Sequence, residues 1–299
     1  MTDTDNREPA EAIELPAGSR FVASGSPGLF NGMLSQSGSR GALMAFASTI
    51  LFLVVAAVII LNSDAWPKVR NQFLNWEHFK ASFPDVLAAF WLDMQMFVVA
   101  EVFILTFALL IAVLRVLRGP AFFPLRMLST VYIDLFRGVP LLLVIFLLGF
   151  GVPALDLPGV PKSPMFWGIV SLVLSYSAYT AEVYRSGLES VHESQRAAAR
   201  ALGLTQWQAL RFAILPQAIR NVVPALLNGL VSLQKDVALI SVLGVREAVR
   251  EAEIYKARTF NYTSLLVAAI LFLIVSVPVA RFADWYTARD RRARTKGLQ

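Results

Sequence analysis

The stretch FVVAEVFILTFALLIAVL, from Phe97 to Leu114, shows how this chain folds. Its 18 residues include one charged side chain, that of Glu101, and are otherwise almost entirely apolar. A helix needs about 20 mainly apolar residues to cross roughly 30 Å of hydrocarbon. A helix of a soluble protein would interrupt such a run with polar residues at helical spacing. The stretch therefore predicts a transmembrane helix.

Further apolar blocks occur along the chain, separated by segments that are rich in charge, glycine or proline. They predict an all-α membrane protein with six transmembrane helices: Met44–Leu61, Phe97–Leu114, Val139–Val152, Phe166–Ala181, Val222–Leu243 and Ser264–Phe282. Three intervening segments are too polar to span. We predict an interfacial helix within Asn62–Met94, an amphipathic helix along the inner surface at Phe122–Phe136, and a surface helix at 245–259.

The composition agrees with a membrane protein and excludes several kinds of site. Of the 299 residues, 56% are hydrophobic and 16% are charged, whereas soluble domains carry about 25% charged residues. The chain has no cysteine and two histidines, His78 and His192. We therefore expect no disulfide, no metal site and no cofactor in this chain. The net charge of +6 lies in loops between apolar blocks, where membrane topology explains it without nucleic-acid binding.

Three regions follow from this pattern. Residues 1–41 are predicted to be a disordered cytoplasmic tail without the apolar core of a signal peptide, 42–287 a transmembrane domain, and 288–299 a basic cytoplasmic tail. Six spans place both termini on the same side, and Lys and Arg are concentrated on that side. The positive-inside rule therefore predicts cytoplasmic termini in a multi-pass protein of the lipid bilayer.

The segment ESVHESQRAAARALGLTQWQALRFAILPQ, at 189–217, is the most informative loop in the chain. Its local signals predict two short helices, each starting at a capping box, with a glycine between them and a proline at the end. These signals are Ser190 with Glu193, Thr205 with Gln208, Gly203, and Pro216.

The two predicted helices have distinctive faces. The first presents small side chains at Ala197, Ala198, Ala199 and Ala201, and the second carries a stripe formed by Trp207, Leu210 and Ile214. Small side chains allow another surface to approach closely, which favours a docking site for a soluble partner. The alternative is that the helix pair packs beneath its own transmembrane bundle.

This loop resembles the EAA loop of bacterial ABC importer permeases, in which E-A-A, three residues, G and nine residues precede I-x-L-P. Ala198, Ala199, Gly203, Leu215 and Pro216 match at the family's spacing. The family's glutamate and isoleucine are replaced by alanines, at 197 and 213. The resemblance implies the type I ABC importer permease fold with a cytoplasmic coupling loop. It also implies that a partner ATPase contacts Ala197, Ala198, Ala199, Gly203, Trp207, Leu215 and Pro216.

The likeness extends to both sides of the loop and covers roughly residues 95–287. Residues 136–140 resemble the FRG-x-P segment of polar amino-acid permeases, with Val139 where threonine is common. Residues 178–185 resemble their A-Y-x-A-E-x-x-R segment. Residues 228–244 resemble N-x-x-x-S-L-x-K-D-T-S-L-x-S-x-x-G, with Val237 and Ala238 in place of the hydroxyl pair. These segments are typical of histidine, glutamine and arginine importers.

The resemblance implies a division of labour between several chains of a bacterial inner membrane. The expected partners are an ATPase that binds ATP and Mg²⁺, an extracytoplasmic amino-acid-binding protein, and a second permease subunit that is identical or homologous. The sequence contains no G-x-x-x-x-G-K-[ST] phosphate-binding loop. The energy for transport must therefore come from another chain or from an ion gradient.

Charged residues within the predicted spans are candidate substrate ligands, because a charge in hydrocarbon is unfavourable unless it is paired or lines a pathway. A free amino acid is a zwitterion, so its site needs groups of both signs. The candidates are Lys235 and Asp236 midway through the fifth span, Glu182 at the inner end of the fourth, and Arg137 at the start of the third. The alternative is that these groups pair with one another and stabilise the bundle. Glu101 is expected to extend toward the outer surface.

A secondary transporter driven by protons or sodium is the alternative function, with Glu101, Glu182 and Asp236 as its intramembrane carboxylates. Such folds often contain inverted repeats, and none is evident here. A membrane enzyme would need a catalytic set, which the sequence does not offer.

Overall fold

The computed structural model describes residues 39–116, 119–191 and 193–296, and these are almost entirely helical, without a β-strand. The predicted tail at 1–41 and the end of the basic tail lie largely outside these ranges. The chain divides into two units, Met1–Trp66 and Pro67–Gln299. The first contains helix α1, Ser39–Leu61, which includes the first predicted span.

Within the described residues, ten further α-helices of four or more residues follow. They are α2 (Trp66–Phe73), α3 (Trp76–Val116), α4 (Phe123–Gly138), α5 (Leu141–Phe146), α6 (Pro164–Glu189), α7 (Glu193–Ala201), α8 (Gln206–Ala209), α9 (Leu215–Asp236), α10 (Ala248–Thr259) and α11 (Thr263–Lys296). Short 3₁₀ or π turns connect or extend several of them. A π turn at Leu210–Ile214 leads into α9, and a 3₁₀ turn at Val237–Leu243 follows it.

Four helical stretches are long and apolar enough to cross a membrane: Gly41–Leu61, Trp66–Arg115, Arg211–Leu243 and Thr263–Asp290. The pair Pro120–Gly138 and Leu141–Ala154, bent by 104°, would be a fifth. The predicted fourth span lies in α6, which has 26 residues but is not among these stretches. Its serines and tyrosines lower its hydropathy. The sequence predicted six transmembrane helices. The structure contains four or five that are long and apolar enough to cross a membrane.

The prediction for Asn62–Met94 was wrong in its second half. Helix α3 runs for 41 residues without a break, so the polar residues before Phe97 continue the helix of the second span. They are held there by packing, because Val86 and Phe90 lie in a buried cluster with Ala248 and Ala252 of α10 and with α11. Helix α10 was predicted as a surface helix, and this cluster buries one of its faces.

The centre of the second unit is the packing of α6 against α3 and α9. Its buried core includes Ala100 and Ile104 of α3, Leu172 of α6 and Leu233 of α9. The 3₁₀ turn after α9 contributes Val237 and Ile240 to the same core.

Candidate translocation cavity and coupling segment

A cavity of about 410 Å³ lies between α3, α6 and α9. Its lining is mainly apolar, and its polar side chains are Glu101, Ser175, Tyr176, Tyr179, Thr180, Ser232 and Asp236. No Lys or Arg is among the described residues that line it. The cavity therefore presents two carboxyl groups, one from α3 and one from the end of α9, without a basic group to neutralise them.

Asp236 is held in place by a side chain from α6. The Tyr176 hydroxyl donates a hydrogen bond of 2.7 Å to Asp236 Oδ2. Asp236 is the last residue of α9, where the helix tightens into the 3₁₀ turn. Such a turn inside a span often marks a functional position, and here it directs the half-buried carboxylate toward the cavity.

Ser175 adds an unpartnered polar group to the same cavity. The residue is 2% exposed, and its Oγ forms no hydrogen bond with any described residue. A buried hydroxyl without a partner costs roughly 1–3 kcal/mol, so it usually serves a ligand, a water or a special conformation. Ser175 therefore marks a polar point on a largely apolar wall.

A second cavity, of about 370 Å³, adjoins the first, because both are lined by Tyr179, Val183 and Ala225. Arg137 lines the second cavity, and its guanidinium lies 5.8 Å from the Tyr179 ring centroid. The Tyr179 hydroxyl donates to the Arg137 carbonyl at 3.2 Å. Arg137 forms no ion pair with another residue in the described ranges. The first cavity thus presents the carboxyl groups of Glu101 and Asp236, and the adjoining cavity presents the guanidinium of Arg137 together with the carboxylate of Glu182.

The four predicted substrate ligands are placed differently by the structure. Asp236 and Arg137 line the two adjoining cavities. Glu182 lines the second cavity but is already engaged, since its Oε2 accepts a hydrogen bond of 2.7 Å from Arg115 on α3 and its carboxylate also pairs with Arg185. Lys235 is exposed and lines neither cavity.

Sequence reasoning named Glu101 only as a carboxylate of the ion-driven alternative, and it missed Ser175 and Tyr176 as cavity residues. Glu101 was expected to reach the outer surface, whereas it lines the cavity. Its charge within an apolar block was a usable signal. Ser175 and Tyr176 gave no such signal, because hydroxyl residues are common in helix contacts of membrane proteins.

The coupling segment, 189–217, contains the turn that the sequence predicted. Gly203 has φ +76°, a left-handed conformation that glycine adopts without a Cβ penalty. The Leu204 N–H donates to the Ala199 carbonyl at 3.2 Å, as in a Schellman C-cap. Thr205 and Gln208 form the predicted capping box, with reciprocal bonds of 2.9 and 3.3 Å.

Two local predictions for this segment were wrong. Ser190 does not cap α7; its Oγ donates to the Gly187 carbonyl and accepts from Asn221. Pro216 does not stop the second helix, because the π turn before it leads directly into α9. The proline lies in the first turn of α9, where an N–H without a helical partner is expected anyway.

The face of the coupling segment is partly solvent-exposed. Ala197 and Ala198 are exposed, Ala199 is buried, and Leu202 is 80% exposed. Leu215 and Pro216 are also exposed, whereas the Trp207 side chain lies outside the described residues. The described part of the segment thus exposes Leu202 and Leu215 together with small residues around the Gly203 turn.

Comparison with known proteins now identifies the family. Residues 105–292 match the model of the binding-protein-dependent transport system inner membrane component. The chain belongs to this family. Among its relatives, the probable amino-acid permease protein YxeN of Bacillus subtilis (strain 168) is 34% identical over 214 residues, which are 71% of this chain and 94% of the relative. The arginine transport system permease protein ArtQ of the same strain is 30% identical, over 67% of this chain and 89% of the relative.

Solved structures agree with this assignment. The crystal structure of an amino acid ABC transporter with histidines matches with a TM-score of 0.63 and 28% identity, over 69% of this chain and 94% of that one. The MetNI methionine ABC transporter, in an inward-facing conformation, matches with a TM-score of 0.56 at 20% identity, which supports the fold.

The permease is thus an all-α membrane protein with the type I ABC importer permease fold. It is a transport subunit of an ABC importer, and ATP hydrolysis belongs to a separate subunit in this family. The relatives give no support to the ion-driven alternative.

Proposed function

We propose that this permease carries polar amino acids across a bacterial inner membrane, and that the two adjoining cavities hold the substrate during passage. The observation that carries the proposal is the opposition of Glu101 and Asp236 in one cavity to Arg137 in the next. The relatives named as amino-acid and arginine permeases support the substrate class.

The geometry suits an amino acid with a cationic side chain. The substrate carboxylate would bind the Arg137 guanidinium, which has no acidic partner among the described residues, while ammonium or guanidinium groups would bind the carboxylates. Charge-assisted hydrogen bonds of this kind are about twice as strong as neutral ones. Because two carboxyl groups face one arginine, a basic amino acid balances the site better than a neutral or acidic one.

Lys235 and Glu182 fit this arrangement less well than Asp236 and Arg137. Lys235 lines neither cavity, and Glu182 is neutralised by two arginines. Their part in substrate binding remains a prediction of the sequence, and Lys235 offers a neighbouring charge against which to compare Asp236.

The proposed assembly contains this permease, a second permease subunit, an extracytoplasmic binding protein and an ATPase that binds ATP and Mg²⁺. The ATPase would contact the coupling segment at its exposed small residues, the left-handed turn at Gly203 and the exposed Leu202. Both termini would be cytoplasmic if α6 also spans. Its 26 residues extend about 39 Å as a helix, enough to cross the hydrocarbon.

The test is uptake of radiolabelled arginine by vesicles that contain the permease, its ATPase and its binding protein. Asp236→Asn and Glu101→Gln should each reduce uptake at least tenfold, because each removes a charged partner of the substrate. Lys235→Met is the matched control, since it alters the adjacent charge outside the cavities, and it should retain most of the uptake. Normal arginine uptake by Asp236→Asn would refute the proposed site.

Competition distinguishes the substrate classes. Excess unlabelled lysine or histidine should inhibit arginine uptake more strongly than excess glutamate. If glutamate competes as well as lysine, the preference for a basic side chain is wrong, although the permease function itself would stand.

A further inference from the structure

Two carboxyl groups are buried beside each other, away from the cavities and the coupling segment. Asp93 belongs to α3 and Glu247 immediately precedes α10, and both residues are 0% exposed. The N–H of Ala248, the residue that follows Glu247, donates to Asp93 Oδ2, so both carboxyl groups lie at the same helix start. Two buried carboxylates that were both ionised would repel strongly, so the arrangement requires an explanation.

Glu247 has the environment of an ionised carboxylate. It is the N-cap of α10, where Oε1 accepts from the Arg250 N–H at 2.6 Å and Oε2 accepts from the Val249 N–H at 2.9 Å. The positive end of the dipole of this 12-residue helix also favours a negative charge. Both oxygens of Glu247 therefore act as acceptors.

Asp93 has a different environment. Its Oδ2 accepts from the Ala248 N–H at 3.1 Å, but its Oδ1 is buried and has no hydrogen-bond partner in the described part of the chain. A bare carboxylate oxygen would be unsatisfied there. A proton on Oδ1 would turn it into a donor, and the Glu247 carboxylate is the acceptor within reach.

The charged groups around the pair do not neutralise it. On α10 and its N-terminus, Arg246 pairs with Glu251 and Arg250 with Glu253, while Lys256 and Arg258 lie further along the helix. On α3, His78 bonds to Tyr255, Asp85 is exposed, and Glu101 lines the cavity. Residues 237–243 and 263–280, which also pack against α10, contain no titratable side chain. Neither Asp93 nor Glu247 forms an ion pair with a described residue.

We propose that Asp93 and Glu247 share one proton, held on Asp93 Oδ1, and that this acid–carboxylate pair fastens α10 to α3. The pair replaces two repelling charges by one charge and one hydrogen bond. It also links three backbone N–H groups at the start of α10 to a single buried cluster. The attachment of α10 to α3 therefore depends on this shared proton.

The proposal makes the attachment sensitive to pH. Burial disfavours charge at this site and raises the pKa of Glu247, so a second negative charge beside it is unfavourable and the pair resists the loss of its one proton. A carboxyl whose pKa is raised by folding stabilises the protein fully below its ordinary value, and this stabilisation is lost as the pH rises through the folded value. Over that interval the folded-to-unfolded ratio falls about tenfold for each pH unit and each retained proton.

The test compares the full-length permease with Asp93→Asn, which supplies the same hydrogen bond from an amide without a proton to lose. Thermal stability in detergent is measured between about pH 5 and pH 8, the range over which a buried carboxyl with a raised pKa loses stability. The wild type should lose stability toward pH 8, and Asp93→Asn should lose markedly less. Glu253→Gln, which removes a partly exposed carboxylate on the same helix, should keep the wild-type dependence. Equal pH dependence in wild type and Asp93→Asn would overturn the proposal.

Two further measurements keep the proposal testable if a variant folds poorly. The infrared spectrum of the wild type at neutral pH should contain the carbonyl band of a protonated buried acid, and the difference spectrum against Glu253→Gln should leave it unchanged. A wild type without such a band would also overturn the proposal. Glu247→Gln should destabilise the protein more than Asp93→Asn, because it removes an acceptor of two N–H groups, and the reverse order would place the proton on Glu247 instead.

Discussion

Gly187 provides a test of how closely α6 must approach α9. A Cβ added at this position would lie 2.0 Å from Val222 Cγ1 and 3.2 Å from the Ala218 carbonyl oxygen. Real Cβ atoms do not come this close to other atoms, so Gly187→Ala must shift a side chain or separate the helices. The same contact lies beside the second cavity, whose lining includes both Gly187 and Val222.

Two opposing effects determine how much Gly187→Ala changes the free energy of unfolding. Alanine stabilises a helix interior by about 0.5–1 kcal/mol relative to glycine, whereas overpacking of a tight contact costs about 1–3 kcal/mol. The difference between these ranges is about 0–2.5 kcal/mol, so we expect Gly187→Ala to destabilise the permease by roughly 1 kcal/mol. Val222→Ala removes the clashing methyl group, so it should cost less in the Gly187→Ala background than in the wild type, by about the overpacking energy.

Thermal unfolding of the four proteins of this double-mutant cycle in detergent measures the coupling. Gly229→Ala is the matched control, because a Cβ at Gly229, also within a helix, meets no atom within 4 Å. It should be neutral or stabilising. If Gly187→Ala is as stable as Gly229→Ala, or if the cycle shows no coupling, the close helix contact is not as the structure describes.

Three further predictions concern transport and stability. Gly229 lines the first cavity, so Gly229→Leu should fill it and abolish arginine uptake while the melting temperature stays near that of the wild type; normal uptake would show that substrate does not pass there. Gly203→Asp should uncouple transport from ATP hydrolysis without preventing membrane insertion, because a bulky charged side chain would stand in the left-handed turn; wild-type uptake in vesicles would contradict this. Arg115→Met should destabilise the protein by about 1–2 kcal/mol, since it removes a partly buried charged hydrogen bond to Glu182, and an unchanged melting temperature would show that Arg185 alone satisfies this carboxylate.

The sequence by itself determined those features that depend on residues close together along the chain. Apolar blocks of about 20 residues require helices in a bilayer, because backbone groups in hydrocarbon must bond within their own segment. Gly203 and the Thr205–Gln208 capping box were predicted for the same reason, since their hydrogen bonds connect residues only a few positions apart. The coupling loop could be compared with its family for the same reason, because its motif lies within one continuous stretch of the chain.

Only the tertiary structure decided which charged groups meet. Glu101 and Asp236 are far apart in the sequence, and the packing of α3, α6 and α9 places both on one cavity while the adjacent Lys235 lines neither. Asp93 and Glu247 likewise become a buried pair only when α10 packs on α3. The helical period fixes the direction of a side chain relative to its own axis. The environment of a charge, however, depends on which helix lies opposite, and that is set by the packing of the whole bundle.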